Sequence, residues 1–294
     1  WTYQYDLNGN LWKQTDARSQ TITFSYDALD RLTGKTYPAG SSMTNVAYTY
    51  DSTLDGNYGK GQLTGMTDAS GSTAYKYDTR GRLIQEIRTV NAVNYSTIYT
   101  YDSCDRLKTV TYPTGEVVTQ GYNGRGLSST LSGTVAGTLV SQTLYNQLGY
   151  IKQIYLGNST ITDFNYQGLD PGAPTTYYGR LWQIKTTKSS TVLQDMRYTW
   201  DASGNLYQRQ DALAGETETF AHDFLDRLTS VTGPYSASYS YNSIGNITAM
   251  NGVSYTYPTN HIRPHAVTAV GPTSYAYDVN GNMTRRGNQT LTWD

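Results

Sequence analysis

The sequence predicts an all-β chain, an array of β-hairpins that stack on one another in one continuous architecture. One phrase recurs throughout: an aromatic residue, any residue, Tyr, Asp or Asn, a four-residue turn, then Leu or Ile. Its two aromatic positions, i and i+2, fall on the same face of an extended strand, because successive strand side chains alternate faces. No stretch carries a sustained helical stripe of apolar residues. A repeat near about twenty residues marks a supersecondary unit that stacks on its neighbours.

The clearest copies are Tyr3, Tyr5, Asp6, Gly9, Leu11; Phe24, Tyr26, Asp27, Asp30, Leu32; Tyr75, Tyr77, Asp78, Gly81, Leu83; and Tyr99, Tyr101, Asp102, Asp105, Leu107. Three later copies are Tyr198, Trp200, Asp201, Gly204, Leu206; Tyr239, Tyr241, Asn242, Gly245, Ile247; and Tyr275, Tyr277, Asp278, Gly281, Met283. After each Asp, stretches such as Leu7-Asn8-Gly9-Asn10 and Val279-Asn280-Gly281-Asn282 supply the Asn and Gly that a tight turn with positive φ needs. The Asp that opens the turn is placed to accept backbone N–H groups two residues on, a structural rather than catalytic role. Stretches such as Leu107-Lys108-Thr109-Val110-Thr111-Tyr112 then read as returning strands, ended by Pro113-Thr114-Gly115.

The spacing varies. Tyr50 and Leu63 flank a longer tip, as do Tyr166 and Leu181, and loop tips tolerate such insertions. Near Tyr122-Asn123 the Leu arrives one residue early, at Leu127, which predicts a shortened turn or a bulge.

The repeats run from Tyr3 to Trp293-Asp294 without a linker, so residues 1–294 read as one continuous array with no separate second domain. Both ends fall inside repeat units, as in a segment of something longer, and its end strands are expected to pair edge to edge with other copies. Charged residues make up 15% of the chain while Tyr alone supplies 29 residues, leaving polar contact to hydroxyls and amides. With 22 Lys plus Arg against 23 Asp plus Glu, there is no basic stripe for phosphates, which argues against nucleic-acid binding. No apolar run reaches the roughly 20 residues of a membrane helix, and no signal peptide begins the chain. One Cys, Cys104, excludes internal disulfides and a thiolate metal cluster.

Isolated candidates for chemistry each have a plainer reading. His261 and His265, in His-Ile-Arg-Pro-His, have a spacing that two metal ligands could use, but Pro264 disfavours a helix and no third ligand is near. His222 before Asp223 suggests a catalytic pair, yet it occupies the slot that holds Tyr elsewhere. Glu86, Glu116, Glu216 and Glu218 are the carboxylates a glycosidase would draw on, and nothing in the sequence brings two together. The Asn-x-Ser/Thr sequons at Asn94, Asn158, Asn246, Asn282 and Asn288 arise partly because Asn closes a turn and Thr opens the return strand. Cys104 is an accessible turn thiol. No catalytic residue, cofactor or metal is expected. Surface Tyr and Trp flanked by Asn and Asp leave a glycan platform open as an alternative.

The phrase from Tyr5-Asp6 to Leu11, or from Tyr101-Asp102 to Leu107, closely resembles the YD repeat of the RHS family, which includes bacterial RHS toxins, the B and C components of insecticidal Tc complexes, and the teneurins. The resemblance implies a long, curved and spiralling antiparallel sheet of hairpins, a hollow shell that encloses a C-terminal toxin domain. The stretches Pro264–Val270, Tyr275–Thr284 and Leu291–Asp294 are similar to bacterial repeats preceding the RHS core, and so favour a bacterial shell over a teneurin. No stretch of residues 1–294 resembles the family's self-cleaving region. Asp170-Pro171-Gly172 resembles its Asp-Pro motif but lies in a mid-array loop, and no catalytic residue is carried over. The resemblance thus implies a non-enzymatic, secreted or surface-exposed bacterial wall segment, partnered by the rest of the shell and its cargo. The alternative is an extracellular adhesion or carbohydrate-binding module, with a glycan or cell-surface partner; an enzyme is the third reading.

Overall fold

The structure is a computed structural model that describes residues 1–259 and 262–293. It is all-β: 27 strands among the described residues, with one three-residue 3-10 turn at Leu54–Gly56 inside the first long hairpin tip. No helix among the described residues is long and apolar enough to cross a membrane.

The chain forms two compact units, one from Trp1–Thr119 with the segment from Ala276 to the C-terminus, the other from Gln120–Tyr275. The first unit runs through β1 (Thr2–Tyr5), β2 (Leu11–Thr15), β3 (Thr21–Tyr26), β4 (Leu32–Thr36), β5 (Val46–Tyr50), β6 (Leu63–Asp68), β7 (Gly71–Tyr77), β8 (Leu83–Val90), β9 (Val93–Tyr101), β10 (Leu107–Thr111) and, as far as Thr119, β11 (Val117–Tyr122). The second runs through β12 (Ser128–Gly133), β13 (Gly137–Tyr145), β14 (Ile151–Leu156), β15 (Thr160–Tyr166), β16 (Leu181–Lys188), β17 (Thr191–Trp200), β18 (Leu206–Asp211), β19 (Glu216–His222), β20 (Leu228–Thr232), β21 (Ala237–Tyr241), β22 (Ile247–Met250), β23 (Val253–Thr256), β24 (Ala269–Val270) and β25 (Thr273–Tyr277). β26 (Met283–Arg286) and β27 (Gln289–Thr290) close the chain in the first unit.

Within each unit, successive strands pair antiparallel as a meander, β1 to β11 in the first and β12 to β25 in the second. Among the described residues, strands in close backbone contact are consecutive in the chain. Val231 is the one buried hydrophobic residue among those described, whereas Thr64, Thr73, Thr160, Gln183 and Asp195 are buried polar groups. Two of them are joined on one face of the sheet: Gln183 Nε2 donates to Asp195 Oδ1 at 2.6 Å, and Asn165 Nδ2 donates to Gln183 Oε1 at 2.9 Å. Cross-strand pairs of this kind, rather than a two-layer core, hold such a sheet.

The register slips once in many hairpins, where the second aromatic meets the Leu, as between Lys76 and Tyr77 opposite Leu83. That bulge belongs to the turn. Gly81 N donates to Asp78 O, Asp78 N donates to Arg82 O, and Gly81 has φ 75°, the geometry of a type I turn closed by a residue in the left-handed region.

At Tyr122-Asn123 the turn is not shortened. Asn123 N donates to Leu127 O and Gly126 N to Asn123 O, as in every sister turn. Leu127 occupies the last turn position, and Ser128 takes the slot that Leu holds elsewhere.

Candidate functional site

The turn-opening residue is a double backbone acceptor. Asp78 Oδ1 accepts Arg80 N at 2.9 Å and Arg82 N at 3.0 Å. The same pair of bonds recurs at Asp6, Asp27, Asp102, Asp223, Asn242 and Asp278; at Asp201, Oδ1 accepts Gly204 N and Asn205 N. Gly9, Gly204, Gly245 and Gly281 join Gly81 at positive φ. Carboxylates so held stay ionised more readily: the Asn10 N–H bonds lower the Asp6 pKa, and the Arg31 guanidinium lowers that of Asp27.

The second oxygen shows a rule internal to the chain. In seven turns that open with Asp, the residue four on is a side-chain donor that reaches Oδ2: Asn10, Arg31, Arg82, Arg106, Asn205, Arg227 and Asn282; at Asp16 the donor to Oδ2 is the distant Asn280. Where the fourth residue is not an amide or guanidinium, as at Leu127 and Tyr150, the turn opens with Asn123 or Asn146 instead. Neutral Asn spares the turn an uncompensated charge. At Asn242 the fourth residue is Asn246, whose amide is engaged elsewhere, with Pro264 O at 2.7 Å and His265 Nδ1 at 2.6 Å.

Adjacent turns are linked through the same groups. Asn10 Nδ2 donates to Asp30 Oδ1 at 2.7 Å, Arg82 Nη1 to Asp105 Oδ1 at 2.6 Å, and Asn205 Nδ2 to Asp226 Oδ1 at 2.7 Å. Asp30, Asp105 and Asp226 have φ of 58°, 62° and 59°, in the position where other turns use Gly. Their carboxylates are what Gly lacks.

Successive hairpins are stitched by the second aromatic. Tyr26, Tyr50, Tyr77 and Tyr101 donate their hydroxyls to the carbonyls of Leu11, Leu32, Leu63 and Leu83 in the preceding unit, at 2.9, 2.8, 2.7 and 2.7 Å. Tyr145, Tyr166 and Tyr241 do the same to Ser128, Ile151 and Leu228, and Trp200 Nε1 reaches Leu181 O at 2.7 Å. Burial raises the Tyr77 and Tyr101 pKa values, which keeps these groups protonated donors. Guanidinium groups cover three of the rings: Arg31 over Tyr50, Arg82 over Tyr101 and Arg227 over Tyr241, at 4.4, 4.8 and 4.6 Å from the centroids. A signal for this stitch lies in the sequence. Position two holds Tyr, Trp or His222, all with a polar handle, whereas Phe24, Phe164 and Phe220 occur only at position one.

The isolated candidates disperse. His265 is tied to Asn246, and His261 lies outside the described residues, as does Asp294. His222 ends β19 in the aromatic slot. Cys104 is exposed, its N–H bonded to Asp102. Glu216 and Glu218 do border one cleft, with Asp211 and Arg209. Glu218 is paired to Arg209, which lowers its pKa, the opposite of what a glycosidase acid needs. No cluster of three metal-ligating side chains occurs among the described residues.

Two family models match the chain: RHS Repeat over residues 5–42 and 58–93, and Teneurin YD-shell over residues 175–294. The chain belongs to the RHS/YD-repeat family. Its YD fold is that of Tc toxin shells. The crystal structure of TcdB2-TccC3 matches with TM-score 0.77 at 17% identity, over 96% of this chain and 18% of that one. TcdB2-TccC3 without its hypervariable C-terminal region matches with TM-score 0.76 at 16% identity, over 99% of this chain and 18% of that one. The Photorhabdus luminescens Tc holotoxin pore with a TccC3 mutation matches with TM-score 0.74 at 16% identity, over 96% of this chain and 17% of that one. The YD-repeat chain therefore spans less than a fifth of the length of these relatives. No curated protein matches it in sequence.

Proposed function

We propose that this chain is a wall segment of a bacterial RHS-type shell, secreted or displayed at the surface, that encloses a C-terminal toxin or effector. The observation that carries this reading is the fold match, which extends along 96 to 99% of the chain. The repeat chemistry supports it. The Asp and Asn side chains close turns, the second aromatics bond to neighbouring hairpins, and the Arg side chains bridge turns, so the motif residues are committed to wall continuity. In this reading Tyr5, Asp6 and Gly9, and their counterparts in later units, are structural, and residues 1–294 act as one stretch of wall. The partners are the remainder of the shell and its cargo, and no active site is required.

The test is protease protection in the full gene product that carries this chain, with an epitope tag at its extreme C-terminus. The tagged segment should survive a protease that digests it rapidly once the shell is opened by denaturant. Equal digestion rates before and after opening would overturn encapsulation.

A further inference from the structure

Asn146 closes its turn as its sisters do, Oδ1 accepting Leu148 N and Tyr150 N at 3.0 Å each. Its fourth residue, Tyr150, offers no donor or acceptor to the second position and instead packs on Tyr166, ring centroids 5.3 Å apart. Asn146 Nδ2 is consequently the one buried side-chain polar atom without a partner among the described residues. An unpaired buried amide is costly and calls for an acceptor.

Asn146 lines an open cavity of about 410 Å³ in the second unit, together with Lys152, Gly168, Asp170 and Tyr178. The Asp170 side chain is only 6% exposed. Its Oδ2 accepts Tyr166 N at 2.8 Å, and Oδ1 lies 4.0 Å from Lys152 Nζ, close enough to balance charge but too far for a direct hydrogen bond. The Tyr178 ring lies on Gly168, where an added β-carbon would meet Tyr178 Cδ2 at 2.5 Å, yet the residue is 67% exposed.

We propose that this cavity binds a neutral saccharide. A hydroxyl group both accepts from Asn146 Nδ2 and donates to Asp170 Oδ1, and the C–H face of a pyranose suits the exposed Tyr178 ring. The Lys152–Asp170 pair makes the site neutral overall, so a charged ligand would leave one partner unbalanced. The site stands independently of the shell reading.

Saturation-transfer NMR on the whole chain tests it, with methyl β-galactoside, methyl α-mannoside and N-acetylglucosamine as neutral probes and glucosamine and glucuronate as charged ones. Neutral probes should show transfer at millimolar concentrations. Asn146→Asp keeps the turn cap used by the other repeats but replaces the donor with a charge, and should weaken binding about tenfold or more. Tyr178→Ala should weaken it with an unchanged melting midpoint. Silence from all neutral probes, preference for a charged probe, or wild-type affinity in both variants would overturn the proposal.

Discussion

The hydroxyl of Tyr101 donates to the carbonyl of Leu83 at 2.7 Å, joining two repeats through residues 18 positions apart. Arg82 lies over the same ring, bonds Asp78 of its own turn through Nε at 2.7 Å, and reaches Asp105 of the next turn. Three links between neighbouring hairpins thus converge on a Tyr and an Arg.

Tyr101→Phe should therefore destabilise the chain by about 1 kcal/mol, because the ring stays but a part-buried carbonyl loses its donor. Tyr99→Phe, at position one, is the matched control. Denaturant midpoints that shift equally for both would refute a stitching role for the hydroxyl.

Gly81, Gly204 and Gly281, at φ 75°, 103° and 92°, should not tolerate Val. A β-branched side chain in the left-handed region costs roughly 1 kcal/mol or more per site. An added β-carbon would also meet Gln62 Nε2 at 3.4 Å at Gly81 and Arg180 Nη2 at 3.3 Å at Gly204, both ends of flexible side chains, so backbone strain sets the loss, and unchanged thermal melts for all three variants would refute it.

Asp105 opposes two effects. Its left-handed backbone favours Gly, whereas its carboxylate holds Arg82. An exposed pair of this kind is worth at most about 1 kcal/mol and is screened by salt. Asp105→Gly should then be near neutral in dilute buffer and stabilising in molar salt, while Asp105→Ala loses on both counts. Melting curves for the two variants across a salt series decide it.

Acid should loosen the turn ladder. Arg31, bonded to Asp51, holds that carboxyl down at about 2 from an ordinary 3.8. A folded-state pKa below the unfolded one contributes stability that is complete above the unfolded value and disappears as pH falls from about 4 to about 2. The Asp27, Asp102 and Asp223 carboxyls, lowered by their own Arg partners, add in the same direction. Arg31→Gln should flatten the dependence of melting midpoint on pH in that window. An identical slope in the variant would show that Asp51 is not the group responsible.

Much of the architecture was legible in short stretches of sequence. Alternation places Tyr75 and Tyr77 on one face, and Asp78 followed by Gly81 dictates a tight turn, because both depend on contacts within a few residues. At Asn123 and Asn146 the choice of Asn over Asp accompanies a Leu or Tyr four positions on, whereas at Asn242 it accompanies an Asn246 engaged by Pro264 and His265, a contact no local pattern shows. The RHS resemblance, carried by the same phrase, holds. At Asn123, counting to Leu127 implied a shortened turn or a bulge; the turn is not shortened, because the backbone keeps both turn bonds and Ser128 fills the Leu slot.

What the tertiary structure alone decided is the pairing between repeats. Which carbonyl Tyr101 reaches, and why Asp30, Asp105 and Asp226 stand where Gly would be easier, depend on the stacking of one hairpin on the next. Farther still, Asn280 Nδ2 donates to Asp16 Oδ2 at 2.5 Å and its Oδ1 accepts Ala17 N at 2.9 Å, across more than 260 residues of chain. Side-chain bonds reach only about 3 Å, so such a contact is fixed by the accumulated path of the strands between, which no local pattern encodes.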